Sequence, residues 1–238
     1  VNRIEIFGLA GIPEVAPGDD LASIIVSTAA RDEVTALQDG DVLVVTQKVV
    51  SKAENRLVPI DPTNPTSHKT LVEQESVRVL RRRGDLVISE TAHGFVCANA
   101  GIDLSNVARG QAALLPADPD RSARRIRDGI RGKAGVEVAV VVSDTFGRAW
   151  RRGVVDVAIG CAGVAAIVDL RGSTDSFGRE LQVTEVAIAD ELAAAAELVM
   201  GKATGIPVAI LRGIDRAWLR DSSVRGELVR APGEDLFR

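Results

Sequence analysis

The 238-residue chain has no tyrosine, five phenylalanines, two tryptophans, two histidines, two cysteines and one methionine. With aromatics at 3%, it lacks a stacking platform for the bases of single-stranded nucleic acid. Cys97 and Cys161 are isolated, forming neither a disulfide framework nor a paired metal motif. Lone thiols of this kind suit a reducing compartment, so a cytoplasmic location is expected. No apolar run reaches the roughly 20 residues of a membrane span. The amino end has no charged start followed by a signal-like apolar core. Positive charge is also short: the formal net charge is -4, which argues against nonspecific DNA binding. Neither a nucleic-acid nor a membrane partner is expected.

What is present is aliphatic. Hydrophobic residues make up 46%, enough for an ordered core built from Val, Ala, Leu and Ile. The length suits one large core or two smaller lobes. Apolar runs at Arg3 to Leu9, Val42 to Val45, Asp85 to Ser89, Phe95 to Asn99, Val138 to Val142, Ala165 to Leu170 and Ile206 to Leu211 predict strands. Helices are expected over Leu21 to Ala30, Lys69 to Arg83, Asp118 to Lys133 and Thr184 to Met200. Asp19 or Asp20 is a candidate cap for the first. Arg81, Arg82 and Arg83 suit the carboxyl end of the second. Pro62 and Pro65 stiffen the loop from Asp61 to Ser67. The low-aromatic, Val/Ala-rich strand pattern suits a mixed α/β core. Residues from Arg212 onward turn charged and segmented, as a linker or extension would.

The stretch VAVVVSDTFGRAWRR, Val138 to Arg152, carries the chemistry. A buried strand there would bring Asp144 and Thr145 to a cleft, where carboxylate and hydroxyl oxygens suit a hard cation. Arg148, Arg151 and Arg152 could supply charge for phosphate. Taken alone, the same residues read as an Asx turn and a solvated basic loop. A second polar cluster, GIDLSNV, holds Asp103 and Asn106. Asp103 joins Asp144 as a pair of carboxylates for one divalent ion, and Asn106 can donate and accept toward a ligand. Lys48 and Lys52 share a face if their segment is helical; Lys48 reads as solvent-exposed. Gly11 to Val15 reads as a strand-to-helix connection or a backbone cradle for a planar ligand. Arg171 to Arg179 is a candidate substrate loop. Gly201 to Gly205 contains a lysine but lacks the P-loop spacing.

In combination, these segments resemble the coenzyme F420-0:L-glutamate ligase (F420 gamma-glutamyl ligase) family. The likeness is greatest to the amino-terminal domain of the two-domain actinobacterial form. It is carried by GLAGIPEVAPGDDL (Gly8 to Leu21), VVTQKVVSKAENR (Val44 to Arg56), AGIDLSNV (Ala100 to Val107), ALLPADPD (Ala113 to Asp120) and VVVSDTFGRAWRRG (Val140 to Gly153). DVAIG (Asp156 to Gly160) and ELQVTEVAIADELAAAAELVMGK continue it. The resemblance implies a non-P-loop α/β catalytic domain over 1–213, followed by an extension or linker over 214–238 as the stump of an absent nitroreductase-like domain. It implies GTP-dependent addition of L-glutamate to F420-0 through an acyl phosphate, then gamma-linked extension. Mg2+ or Mn2+ would be required, with help from K+, in a homodimer. By the same resemblance Ile12, Pro13, Glu14, Val15, Gln47, Lys52 and Asn106 contact GTP. Asp103, Asp144 and Thr145 bind metal, and Asp103, Asp144 and Lys52 serve catalysis. Gln47 stands where close relatives carry Ser, which puts one hydrogen bond of that set in question. A nucleotide-binding module and a metal-dependent phosphohydrolase are the competing readings of the same loops.

Overall fold

The computed structural model describes residues 3–64 and 66–235. Pro65 and the last three residues of the GEDLFR tail lie outside the described residues. The core is a five-stranded mixed sheet, in the order β1 (Glu5–Gly8), β12 (Val208–Arg212), β2 (Val42–Thr46), β8 (Ala139–Gly147) and β9 (Val154–Ala162). Only β2 and β8 run parallel; the other neighbours are antiparallel. Val42 to Val45 and Ala139 to Val142 are buried without alternation, as expected of central strands covered on both faces. Helices α4 (Pro119–Ala134) and α5 (Ile188–Met200) pack against this sheet, and α1 (Leu21–Ala29) packs against α4. No closed barrel and no P-loop is formed by the described residues.

The strand directions determine where a ligand can meet the sheet. β2 and β8 end at the same edge, with Thr46 beside Ser143. β12 is antiparallel to β2, so the 201–207 segment enters there. β1 is antiparallel to β12 and leaves toward 9–15 at that edge. Ligands commonly bind where parallel strands present their carboxyl ends and the chain diverges.

The last strand, β12, lies between two early ones. Its end is secured by Arg212, which donates to both carboxylate oxygens of buried Asp41 at 2.8 Å and lies 5.4 Å over the Phe7 ring. Such a two-point guanidinium bond fixes orientation as well as charge.

A second junction involves Gly160. A Cβ there would lie 2.3 Å from the Pro119 carbonyl carbon, so only glycine lets α4 approach β9 this closely. Beside it, buried Asp120 accepts from the backbone N–H groups of Cys161, Val224 and Arg225. Val224 is itself fully buried in the main core, and Leu228 and Val229 pack against it.

The helix expected over Lys69 to Arg83 stops at Glu75, and Ser76–Arg83 forms strand β4 instead. The Gly84-Asp85 pair explains the change. It separates Arg83 from its strand partner Leu86 by two residues, with Gly84 at φ 56°, a hairpin connection that glycine accommodates. β4 then pairs with β5 (Leu86–Thr91) and β5 with β6 (Val96–Ala98). The basic triplet therefore lies on a strand. Two further expectations shorten: Ala165 to Leu170 retains only β10 (Val168–Asp169), and the Ala-rich helix starts at Ile188, after β11 (Glu185–Val186). The short helix α2 (Gln47–Ala53) follows β2 directly.

Asp20 caps α1 through the Ser23 N–H. Hydrogen bonds from Lys133 and Ser23 hold its carboxyl down at about 2. Asp20→Ala should cost about 1 kcal/mol in urea unfolding at pH 7. The ionised cap contributes fully above the ordinary value of 3.8 and is lost as pH falls through about 2. The variant's deficit should therefore shrink in acid.

Candidate active site

At the shared sheet edge lies a pocket of about 380 Å³. All ten residues assigned to ligands by resemblance line it. The segment after β1 supplies Ile12, Pro13, Glu14 and Val15; α2 supplies Gln47 and Lys52; Asp103 and Asn106 come from the segment before β7 (Gln111–Ala113). Asp144 and Thr145 complete the set. They do not sit in a turn after the strand. β8 continues to Gly147 because its pairing with β9 continues, with Asp144 opposite Val157 and Thr145 opposite Asp156.

Each group has a defined environment. Asp103 is fixed by reciprocal backbone bonds to Ala113, and its Oδ1 accepts from the Ser105 N–H. Burial acts to raise its carboxyl, but hydrogen bonds from Lys48 and Ser105 outweigh that and hold it below the usual range. Lys48 Nζ lies 2.8 Å from Asp103 Oδ2 and donates to Ser105 Oγ. The solvent-exposed reading of Lys48 is thus corrected: a carboxylate in reach draws the ammonium into the pocket. Because 47–53 is helical, Lys48 and Lys52 do face the pocket together. Lys52 is 8% exposed and pairs with Glu14.

Burial pushes the Asp144 carboxyl up to about 7, assisted by the charges of Asp103 and Asp156. The Thr145 N–H and Lys202 oppose the rise. The Thr145 hydroxyl donates to Asp156 Oδ1 at 2.6 Å and accepts from Lys202 Nζ. Gln47 is 1% exposed, and its amide nitrogen donates to Ser51 Oγ and the Leu114 carbonyl. Its buried Oε1 has no partner among the described residues.

Some expected groups lie elsewhere. Arg148, Arg151 and Arg152 sit on the connection between β8 and β9, outside the pocket, together with Trp150, which is 93% exposed. Arg171 to Arg179 also lies away from it. Burial pushes the Cys97 and Cys161 thiols up to about 12, so neither is a thiolate nucleophile at neutral pH. Conversely, Asp156, Glu197 and Lys202 line the pocket without having been singled out by position. Asp156 carried a readable signal, as an acid within the apolar run VVDVAIGCA. Lys202 lay within the Gly201 to Gly205 segment, where it was given no individual role.

No group of three His, Cys, Asp or Glu side chains suited to a metal occurs among the described residues. The donors present are two carboxylates and a hydroxyl, all hard oxygen ligands. Mg2+ is often held by one or two carboxylates plus substrate phosphates and water, so this set fits such an ion. Lys48 lies against Asp103 and Lys202 against Thr145, so these ammonium groups supply the positive charge at those oxygens in this structure. No helix among the described residues is long and apolar enough to cross a membrane.

A non-P-loop α/β chain that gathers carboxylates, a hydroxyl and three lysines in one pocket has the polar groups of an enzyme's active site. The family model for F420-0:Gamma-glutamyl ligase matches residues 10–213. The chain is 44% identical to the coenzyme F420:L-glutamate ligase of Methanothermobacter thermautotrophicus, over 99% of each chain. It is 44% identical to that of Methanopyrus kandleri over 94% of each, and 41% identical to that of Archaeoglobus fulgidus over 99% of this chain and 97% of the relative. The chain belongs to the F420-0:gamma-glutamyl ligase family and is a ligase.

Proposed function

We propose that this ligase uses GTP to join L-glutamate to coenzyme F420-0 and then extends the gamma-linked tail, in the cytoplasm. The observation that carries this reading is the meeting of Asp103, Asp144, Thr145 and three lysines in one pocket of a chain from this family. A carboxylate of F420-0 attacks the γ-phosphorus of GTP, and GDP leaves. The resulting acyl phosphate gives the carboxyl carbon a better leaving group. The amine of glutamate attacks that carbon, phosphate departs, the nitrogen loses one proton and an amide remains.

The chain's own groups divide this work. Lys52, with Lys48 and Lys202 nearby, offsets phosphate charge, and low exposure strengthens that attraction. Ile12, Pro13, Glu14, Val15 and Asn106 contact the nucleotide, and Gln47 Oε1 offers one open acceptor. Asp103, Asp144 and Thr145 would hold Mg2+ or Mn2+. When bound, the ion would neutralise phosphate charge and orient its oxygens, with K+ as a further aid. Two copies form the working unit. The likeness to the amino-terminal part of a two-domain form belongs to the same reading, and the full gene sequence checks it.

The deciding experiment supplies purified protein with GTP, F420-0 and glutamate and follows product by mass. Glutamylated F420 is expected, with GTP favoured over ATP in competition. Release of GDP without that product would replace the ligase reading with hydrolysis. Nucleotide binding without turnover would leave a binding module. Light scattering should give a dimer, and a fully active monomer would refute the paired unit.

A further inference from the structure

Asp156 has no part in the reaction as written, yet it is 3% exposed and lines the pocket. It lies on β9 opposite Thr145. Its Oδ1 accepts from Thr145 Oγ1 at 2.6 Å, and its Oδ2 accepts from buried Ser143 Oγ at 3.1 Å. Ser143 and Thr145 are two apart on one strand and so share a face; the carboxylate spans both. We propose that Asp156 is a positioning residue that fixes the Thr145 hydroxyl as a ligand for a divalent cation.

The reason is the hydrogen inventory of a hydroxyl, which has one proton and two lone pairs. A carboxylate can only accept, so the Thr145 proton is committed to Asp156. The lone pairs are left for the pocket, and a positive group already uses one of them: Lys202 Nζ donates to Thr145 Oγ1. Without Asp156 the hydroxyl could turn its proton toward the cation, presenting the wrong pole. Outer groups of this kind orient the ligands that touch a metal, and their loss commonly weakens binding about 10–100-fold. Each Asp156 oxygen already receives a hydroxyl, so the residue acts through Thr145 in this arrangement. The inference rests on the reading above, that Asp103, Asp144 and Thr145 hold a cation.

The test measures Mn2+ binding to the full chain without GTP or F420-0, from the paramagnetic resonance signal of free Mn2+. Asp156→Ala and Thr145→Val should each weaken binding about 10-fold or more. The double variant should be no weaker than Thr145→Val alone, because both changes remove one device. Asp156→Asn, whose carbonyl can still accept from Thr145, should retain most of the affinity. Additive losses, or an Asn variant as weak as the Ala variant, would overturn the positioning role in favour of direct charge. If circular dichroism shows that Asp156→Ala does not fold, Asp156→Asn decides: affinity as low as that of Thr145→Val rejects the proposal. Undetectable Mn2+ binding by the unaltered chain would overturn the cation reading and this inference together. Normal binding by the unaltered chain and by folded Asp156→Ala would overturn the inference alone.

Discussion

Asp103→Asn and Asp144→Asn should each reduce glutamate addition at least about 10–100-fold, the loss typical of damaged metal support, with direct-ligand loss lying beyond it. The two reach that outcome from opposite electrostatic starting points. Asp103 is held ionised by Lys48, so its replacement leaves an ammonium without its carboxylate. Asp144 is pushed up to about 7 by burial and by its acidic neighbours. A cation must therefore displace a proton from Asp144 below that pH, and apparent Mg2+ affinity should weaken as pH falls through 7. In the metal-free chain the same shift acts on folding. Between 3.8 and about 7 the folded state holds a proton that the unfolded state has released. Asp144 thus favours folding at low pH, and that contribution is lost as pH rises through 7. Asp144→Asn should consequently melt no lower than the unaltered chain at pH 8, while making little product. Assays across Mg2+ and Mn2+ concentrations, with product measured by mass, check this. Near-normal ligation by both folded variants at limiting metal would reject a two-aspartate site.

Asp120→Ala should be the most destabilising of the substitutions considered. It strips the acceptor from three backbone N–H groups, at Cys161, Val224 and Arg225. Each buried donor left unpaired costs about 1–3 kcal/mol, so a combined loss of about 3–5 kcal/mol is expected after partial relaxation. For a chain of this size that corresponds to a fall of roughly 2–4 °C in Tm per kcal/mol. Asp120→Asn keeps one carbonyl acceptor and should lose less. Urea unfolding of both variants measures the difference, and a loss below about 1 kcal/mol for Asp120→Ala would show that water replaces the carboxylate.

The lining of the pocket was more legible in the sequence than the small sheet was. Asp103, Asn106, Asp144 and Thr145 stand in short polar interruptions of apolar runs, and a polar side chain at the end of a buried strand has few places to go except a cleft. Thr145 nevertheless lies on the strand, because pairing with β9 is a long-range event that local pattern does not encode. Lys48 reads as exposed until the fold brings Asp103, fifty-five positions later, within 2.8 Å. The helix expected over Lys69 to Arg83 ran too far, because local spacing does not encode the pairing of β4 with β5 that decided the outcome. Asp156 was written plainly as a charge inside an apolar strand; what it faces depended on register.

The strand order also bears on how the chain is made. β12 leaves the ribosome long after β1 and β2, yet must enter between them. Until residues 208–212 emerge, a nascent chain can offer both neighbouring edges to the wrong partner, including another nascent chain. Local hairpins can close early, but this insertion joins positions about two hundred residues apart and must await synthesis of residues 208–212. The pocket at the sheet's end, which needs the segment just before β12, shares that delay. Translation arrested ahead of Val208 should yield chains that hold no nucleotide and depend on chaperones to stay apart.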